Sequence, residues 1–356
     1  MSKATKITVA ASAILASSVL LSGCGLFGAD EKIDIDPQKN VSLVDDASKI
    51  EKENNKKKEI AKETAGKNSV QTELYLIDKS GYVVPQTLTL PKKSEGFAKQ
   101  ALEYLVDNGP VSNIIPNGFR PVLPADTEVS VDIKDGVATA DFSKEFKNYK
   151  KEDELKILQS ITWTLTQFDT VKKVKISMNG QELKTMPVNG TPIGDGVSRM
   201  SGINLDTNNV TDISNTKALT VYYIGGETGN NYYVPVTKRV SETKKDDVAA
   251  VVDELVKGPS SSSLLTVFAP DVKLTETPEM NDGKVTLNFN KNILGSFKEN
   301  KVSKDMLDAL VLSLTEQQGI NSVEVKVNGS AKLLNEDGKK LSEPVTRPEK
   351  VNTGSY

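Results

Sequence analysis

Few residues of this chain could carry out chemistry, because its 356 residues include no histidine and a single cysteine. A chain without imidazole has no Ser-His-Asp triad, no Cys-His pair and no zinc site that requires histidine. Ser241 and Lys244 fit the S-x-x-K pattern of penicillin-binding enzymes, in which a lysine activates the serine. The companion S-D-N and K-T-G patterns are absent from the sequence, so we interpret this segment as the polar approach to a helix.

The other candidate clusters fit structural roles better than chemical ones. The hydroxyls of Ser260–Ser263 have no histidine to activate them, and the pair Asp246-Asp247 lacks the spacing of a calcium loop. No glycine-rich phosphate loop occurs in the sequence. Trp163 and Phe168 lie on or beside a helical apolar stripe and are expected in a core. We therefore predict no enzyme activity, no catalytic residue, no cofactor and no metal.

The N-terminus has the features of a bacterial lipoprotein signal. Lys3 and Lys6 precede about fifteen apolar residues, a run too short to span a bilayer comfortably, and the segment closes in L-S-G-C at Cys24. These four residues resemble a lipobox, whose cysteine receives a diacylglycerol and becomes the new N-terminus. We predict cleavage after residue 23, a lipid anchor on Cys24 and a location outside the cytoplasm. The alternative is an ordinary signal peptide with a spare cysteine.

The charge balance argues against nucleic acid as a partner. Lys and Arg number 45 against 48 Asp and Glu, and the net charge of −3 becomes −5 once Lys3 and Lys6 leave with the signal. Binding to a phosphate backbone requires an excess of basic residues that this chain does not have. At 37% hydrophobic and 26% charged residues, the composition is that of a folded soluble protein, and the length fits about two domains.

Residues 24–70 are expected to form a disordered, lipidated tether. The segment is dense in Lys, Glu, Asp and Asn, and its apolar residues after the first few positions occur mostly singly. It therefore buries too little apolar surface to offset the entropy of ordering. The triplet Lys56-Lys57-Lys58 could contact lipid headgroups, or it could be a solvated charge run.

The remainder of the chain is a tandem duplication. Four sequence markers recur in the same order at offsets of 147 to 150 residues. They are Tyr82–Pro85 with Tyr232–Pro235, Leu105–Pro110 with Leu255–Pro259, Asp135–Phe142 with Asp282–Phe289, and Val174–Gly180 with Val323–Gly329. A repeat of this length and order indicates two copies of one domain.

Both copies predict the same elements. An amphipathic helix precedes two alternating strands joined at a D-G turn, and a second amphipathic helix and a final strand follow. A short hairpin comes first, near residues 74–90 and 219–236. The first helix is expected to stop at Gly-Pro in each copy, at Gly109 and Gly258, and Ser303 is the expected N-cap of the last helix. The apolar stripe predicted for the second helix of the first copy is Leu155, Leu158, Ile161, Leu165 and Phe168.

The predicted fold is α+β, with two tandem homologous domains of order α-β-β-α-β. Each domain has two helices packed on one face of a small three-stranded sheet. The linker contains Ile203 and Leu205, which would be exposed unless it docks on a domain, and the tail is expected to be partly ordered along the second domain. The predicted segments are a signal peptide (1–23), a tether (24–70), a first domain (71–190), a linker (191–217), a second domain (218–335) and a tail (336–356).

The lipobox, the tether and the two copies with their D-G hairpins and N-G final strands together resemble the GerMN-domain lipoproteins of endospore-forming bacteria. The resemblance covers residues 73–334 and Cys24. GerMN domains are similar to the ring-building motif of secretion and sporulation channels. The resemblance implies a membrane-anchored, non-enzymatic scaffold that assembles or stabilises the complex between mother cell and forespore, in the intermembrane space, with an effect on germination. It supplies no catalytic position, and Cys24 is the one functional residue that it maps.

The implied partners are membrane lipid through Cys24 and protein components of a sporulation channel, and ring-type self-assembly is compatible with such domains. Two other classes of function stay open. A lipoprotein that contacts peptidoglycan is suggested by the outward location and by tyrosines expected at the surface. An enzyme based on Ser241 and Lys244 is the third class. The tyrosines in question are Tyr222, Tyr223, Tyr232 and Tyr233.

Overall fold

The structure is a computed structural model that describes residues 69–93, 96–208, 214–227, 229–242, 246–295, 300–341 and 343–353. All of these residues belong to one compact unit that spans residues 35–356. The predicted signal peptide and Cys24 lie outside the described residues, as do Lys244 and all but the last two positions of the predicted tether.

The first copy begins with a long hairpin and continues into the predicted α-β-β-α-β order. Its elements are β1 (Ser69–Asp78), β2 (Val83–Pro91), α1 (Phe97–Glu103), β3 (Phe119–Arg120), β4 (Val129–Lys134), β5 (Val137–Phe142), α2 (Glu154–Leu165), β6 (Lys173–Met178) and β7 (Gln181–Glu182). The main sheet has the order β4-β5-β6-β7, in which β5 and β6 are parallel and the other neighbours antiparallel. The hairpin forms a separate sheet of order β2-β1-β3.

The second copy repeats this plan. Its elements are β8 (Thr216–Glu227), β9 (Asn230–Ser241), α3 (Asp247–Lys257), β10 (Glu279–Asn281), β11 (Lys284–Phe289), α4 (Lys304–Thr315), β12 (Ser322–Val327) and β13 (Val345–Thr346). The main sheet has the order β10-β11-β12-β13, and β8 pairs with β9. The predicted α+β fold with two tandem copies is confirmed. Each main sheet also has a short fourth strand that the sequence pattern did not predict.

The D-G turns explain why β4 and β5, and likewise β10 and β11, pair without slipping. Asp135 and Gly136 have φ of 50° and 80°, and Asp282 and Gly283 have φ of 48° and 77°. Positive φ at both central residues defines a type I′ turn, whose twist matches that of the strands it joins. The register of the first hairpin follows, with Lys134 opposite Val137.

The packing of the helices agrees with the predicted stripes with one exception. Ile161, Leu165 and Phe168 are fully buried, and Trp163 is 1% exposed, as expected for a core. Leu155 was predicted to face the core and is 42% exposed, because α2 begins at Glu154 and Ile157 fills the buried position of the first turn. In the described ranges, none of the helices has the length and apolarity required to cross a bilayer.

The ends of the helices test the capping predictions. Gly258 ends α3 with φ of 81°, and Ser303 caps α4 by accepting a hydrogen bond from the Met306 N–H, as predicted. The prediction for the first copy was wrong, because α1 ends at Glu103, before Gly109. There the carbonyl of Leu105 accepts bonds from the N–H groups of Val122 and Leu123, so this stretch leaves the helix to pair with a later segment.

Candidate functional site at the interdomain interface

The two copies meet along β2 and β9, which belong to separate sheets and are bridged by asparagine side chains. Asn204 lies in the linker. Its Nδ2 donates to the carbonyls of Val83 and Pro235 at 2.7 and 2.8 Å, and its Oδ1 accepts from the N–H of Val83 at 2.8 Å. The linker is therefore bound to both copies. This agrees with the expectation that a linker containing Ile203 and Leu205 docks on a domain.

Asn352 in the tail makes the same three bonds with the two copies exchanged. Its Nδ2 donates to the carbonyls of Pro85 and Tyr233, and its Oδ1 accepts from the N–H of Tyr233, each at 2.8 Å. Val83 and Tyr233 are equivalent positions of the repeat, so the interface has approximate two-fold symmetry. Both asparagines have positive φ, a conformation that this residue type tolerates.

Backbone bonds beside the asparagines repeat the same symmetry. The N–H of Thr237 donates to the carbonyl of Ile203 at 2.8 Å, and the N–H of Thr87 donates to the carbonyl of Val351 at 3.0 Å. In both places the threonine hydroxyl accepts a hydrogen bond from the apolar residue's N–H, at 2.9 and 2.8 Å. The tail was predicted to follow the second domain, and it binds the first copy as well. Ile203 and Val351 are buried by these contacts, whereas Leu205 remains 47% exposed.

A buried charge cluster lies beside these bonds. Glu316 follows α4, and its carboxylate accepts two bonds from Arg199 Nη1 at 2.8 and 2.9 Å. Arg347 Nη1 lies 2.8 Å from Glu316 Oε1, and the hydroxyl of Tyr222 donates to the same oxygen at 2.9 Å. Burial by itself raises the pKa of Glu316, but the two guanidinium groups and their hydrogen bonds outweigh it and lower the pKa to about 2.

Aromatic rings cover the two arginines. The guanidinium carbon of Arg199 lies 4.3 Å from the ring centroid of Trp163, and that of Arg347 lies 5.6 Å from the ring of Tyr222. Trp163 in turn donates through Nε1 to the carbonyl of Gly202 at 3.3 Å. A cation over an aromatic face is stabilised most when water is excluded, so each arginine anchors its own segment to the interface.

A second set of contacts joins the ends of the hairpins. The hydroxyl of Tyr232 donates to Asp78 Oδ2 at 2.8 Å, and the N–H of Tyr82 donates to Asp78 Oδ1 at 2.8 Å. Burial raises the pKa of Asp78, and these bonds work against that rise. Phe119 packs edge-on against Tyr232 with ring centroids 5.1 Å apart. The hairpin of the first copy is thus seated on the second copy.

Lys238 ties the linker to the second copy. It is 4% exposed, and its Nζ lies 3.1 Å from Glu254 Oε2 and 3.7 Å from Asp206 Oδ2. It also donates to the carbonyl of Gly258 at 3.0 Å. Because the partners come from the linker and from α3, this lysine joins two segments rather than presenting an amine to a substrate.

Glu154 joins two segments of the first copy, as Lys238 does beside the second. Its carboxylate accepts bonds from the N–H groups of Val188, Asn189 and Thr191 at 2.6 to 2.9 Å, and from the Tyr149 hydroxyl at 2.9 Å. Burial raises the pKa of Glu154, but these donors stabilise the carboxylate and lower the pKa to about 2. The loop after β7 is held to the start of α2 by this one side chain.

The residues singled out from the sequence are not brought together. Ser241 is the exposed last residue of β9, and its proposed partner Lys244 lies outside the described residues. Asp246 caps α3 by accepting bonds from the N–H groups of Val248 and Ala249, which is a structural role, as expected for this pair. In the described ranges, no group of three or more His, Cys, Asp or Glu is placed to hold a metal ion.

The tyrosines proposed as a glycan platform are not at the surface. Tyr222, Tyr223 and Tyr232 are at most 4% exposed, and the prediction that they are exposed was wrong. Tyr222 and Tyr223 are covered by the helices of their own copy, since Tyr222 packs beside Leu312 of α4 and Tyr223 donates to the carbonyl of Glu254 in α3. Tyr232 is covered by the first copy, through Asp78 and Phe119. Tyr233 is half-buried beside an open depression of about 440 Å³, where its hydroxyl lies 3.3 Å from Asp305 and from Asp308.

Sequence reasoning missed the arginines and asparagines that organise this interface. The linker reads R-M-S-G-I-N from Arg199 to Asn204, and the tail reads R-P-E-K-V-N from Arg347 to Asn352. This pattern recurs at an offset of 148 residues, within the range of the four recognised markers. The signal was therefore present as a fifth marker, but it lies in segments with no periodicity of their own.

Comparison with known proteins identifies relatives of the chain. The family model described as sporulation and spore germination, named Germane, matches residues 73–184 and 220–333. The spore germination protein GerM of Bacillus subtilis (strain 168) is 56% identical over an alignment of 354 residues, and the match covers 96% of each of the two chains. The solved tandem GerMN domains of the sporulation protein GerM from Bacillus subtilis superimpose with a TM-score of 0.77 at 60% identity. That match covers 81% of this chain and 100% of the solved one.

Proposed function

This chain belongs to the Germane family of sporulation and spore germination proteins, and we propose that it is a membrane-anchored scaffold lipoprotein. It acts outside the cytoplasm by binding other proteins and catalyses no reaction. In sporulating cells it lies in the intermembrane space, where it assembles or stabilises the complex that connects mother cell and forespore. Its effect on germination follows from that earlier step.

The scaffold proposal rests on the observation that the buried charged groups bind one another and the backbone. Strongly shifted pKa values in a cleft mark a catalytic site when the groups face a substrate. Here Glu316, Arg199 and Arg347 satisfy one another inside the interface, and Glu154 is satisfied by loop N–H groups. The Glu316 cluster holds the two copies in one fixed arrangement and Glu154 holds a loop of the first copy, which favours presenting a surface over performing a reaction.

Anchoring is proposed from the sequence of the N-terminus. Cys24 follows an apolar run with a positive start, in a lipobox context, and a diacylglycerol there would attach the chain to the outer face of the membrane. Two acyl chains give stable attachment where one chain is marginal. The residues between the anchor and β1 would let the folded unit reach partners away from the lipid surface.

An affinity purification from sporulating cells tests the proposal. A tagged chain and its Cys24→Ala variant are expressed at equal level, and the proteins that co-purify after membrane solubilisation are identified. We expect channel components with the wild type, and we expect loss of membrane association and of most co-purifying protein with Cys24→Ala. If the wild type is recovered without any envelope protein, or if Cys24→Ala fractionates with membranes like the wild type, the proposal fails.

Pelleting with purified peptidoglycan separates this function from wall binding. The wall-binding alternative was based on the predicted outward location and on four tyrosines expected at the surface, and three of those tyrosines are buried. We expect the folded chain to stay in the supernatant over insoluble peptidoglycan. Co-sedimentation that persists at high salt would replace the scaffold proposal with a wall-binding one.

A further inference from the structure

Strand β4 is an open edge of the first copy's main sheet. It pairs with β5 over all six of its residues, and among the described residues no other strand flanks it. It contains no proline and no bulge, and Val131 and Ile133 are half-buried on its inner face. An unprotected edge of this length is a template for pairing with another strand.

The turn beside β4 determines which backbone groups point outward. In a type I′ hairpin the residues that flank the turn exchange both backbone hydrogen bonds, so Lys134 bonds to Val137. Alternation then directs the N–H and C=O groups of Val129, Val131 and Ile133 away from β5. In the described part of the chain, no backbone hydrogen bond joins these three residues to a neighbouring element.

The equivalent edge of the second copy is blocked. There Leu274 pairs with Phe289 and Glu279 pairs with Thr286, so residues 276–278 form a bulge opposite a single residue. Pro278, two residues before Met280, occupies the next position whose backbone would point outward, and proline has no N–H to donate. Bulges and prolines are among the devices that prevent edge pairing, and β4 of the first copy has neither.

We propose that two copies of this chain associate through β4, antiparallel, about a two-fold axis at Val131. In this register Val131 faces Val131, and Val129 faces Ile133 twice. The outward N–H and C=O groups of these residues then form hydrogen bonds, and the two main sheets become one continuous sheet of eight strands. The strand that pairs with β4 comes from a second copy of this chain, because the side chains of two antiparallel β4 strands match one another.

The charges at the two ends of β4, on Lys134 and on Glu128 just before the strand, support this register. Glu128 and Lys134 are exposed, and no ion pair in the described part of the chain involves either residue. Pairing about Val131 places Glu128 opposite Lys134 at both ends of the joined strands, and places Ser130 opposite Asp132. Charged edge residues normally deter pairing, but opposite charges directly across a ladder are attractive. One strand added to another buries little area, so the dimer is weak in dilute solution and gains from concentration on a surface.

Disulfide trapping tests the register. The chain from residue 25 onward lacks Cys24 and carries cysteine only where it is introduced. Ser130 and Asp132 would form a non-hydrogen-bonded pair with Cα atoms about 4.5 Å apart, within reach of a disulfide. An equimolar mixture of S130C and D132C chains should cross-link at least about tenfold faster than the matched mixture of T277C and E279C chains, at the blocked edge. Equal rates would overturn the proposal.

Charge reversal provides an independent test by sedimentation of chains without cysteine. E128K and K134E alone should each weaken dimerisation by about tenfold, because both ends of the ladder then carry like charges. The double variant E128K/K134E should restore dimerisation. If the two single variants and the double variant sediment alike, self-pairing is wrong. It is also wrong if a photo-cross-linker at Asp132 captures a different protein and no second copy in sporulating cells.

Discussion

Gln86 illustrates how a single residue departs from the pattern of the repeat. It lies in β2 and is fully buried, and neither Nε2 nor Oε1 has a hydrogen-bond partner among the described residues. The equivalent position in β9 is Val236, which is 3% exposed. A buried amide without partners costs about 1 to 3 kcal/mol, so the first copy carries a penalty that the second copy avoids.

Replacing Gln86 with methionine should therefore stabilise the chain. We expect Gln86→Met to raise the free energy of unfolding by about 1 kcal/mol, because methionine fills a similar volume without unbonded polar atoms. The reciprocal control Val236→Gln should lower it by about 1 to 3 kcal/mol. Urea denaturation measures both. A destabilised Gln86→Met chain would mean that the amide is hydrogen-bonded in solution.

Glu316 should make stability depend on pH. Its pKa is about 2 in the folded chain against an ordinary value of 4.5, because two arginines hold it ionised. The folded state therefore gains stability from this group above pH 4.5, on the order of 3 kcal/mol, and loses it as the pH falls from 4.5 towards 2.

Glu316→Gln should remove most of that gain and flatten the pH profile. At pH 7 we expect a loss of about 3 to 5 kcal/mol, since two buried guanidinium groups lose their counter-charge. Denaturation at pH 7, 4 and 3 measures the slope. Glu182→Gln is the control, because its ion pairs with Lys175 and Lys184 are at the surface and contribute little. An unchanged slope in Glu316→Gln would show that another group dominates the acid response.

At the scale of elements, the linker and the tail are structural parts of both copies. Arg199 and Arg347 enter the same charge cluster, and Asn204 and Asn352 bridge the same two strands with the copies exchanged. Segments without hydrophobic periodicity can be fully specified when polar side chains bond the backbone of their neighbours. The tail also completes the second main sheet through β13.

Ending the chain after Pro344 should therefore destabilise the first copy as well as the second. The truncation removes β13, Arg347 and Asn352, and we expect a loss of at least about 3 kcal/mol. Hydrogen exchange should also quicken at the amide of Thr87, which bonds the tail. A chain ended after residue 353 is the control and should match the wild type. Unchanged exchange at Thr87 in the shorter chain would contradict the packing described.

The two copies form one compact unit. Their buried apolar residues form a continuous core, and the interface is closed by its approximate two-fold symmetry. A closed interface uses the β2 and β9 surfaces within one chain, so contacts with other molecules fall on other surfaces. The main sheets, with their polar outer faces and unequal edges, are among the surfaces left available.

Thermal unfolding should show this coupling. We expect one cooperative transition for the wild type by calorimetry, and two separated transitions for the double variant Asn204→Ala/Asn352→Ala, because six hydrogen bonds across the interface are lost. Asn113→Ala/Asn148→Ala alters two exposed asparagines and should retain a single transition. A single transition in the interface variant would show that the apolar core alone couples the copies.

Much of the fold was predictable from sequence because it depends on local periodicity and turn chemistry. The alternation of β5, the apolar face of α3 and the D-G turns each report on a short stretch of chain, and all three predictions were confirmed. The error at α1 has a different origin. Its final residues continue a helical pattern, but the carbonyl of Leu105 is used by Val122 and Leu123.

The duplication, the order of elements and the lack of histidine were determined by the sequence alone, since each is a property of spacing or composition. The tertiary structure decided that three tyrosines are buried and that Glu316 meets Arg199, a residue 117 positions away. It also decided which sheet edge is open. Charge pairs and strand neighbours depend on how whole elements pack, and periodicity along one element contains no information about the element that lies opposite.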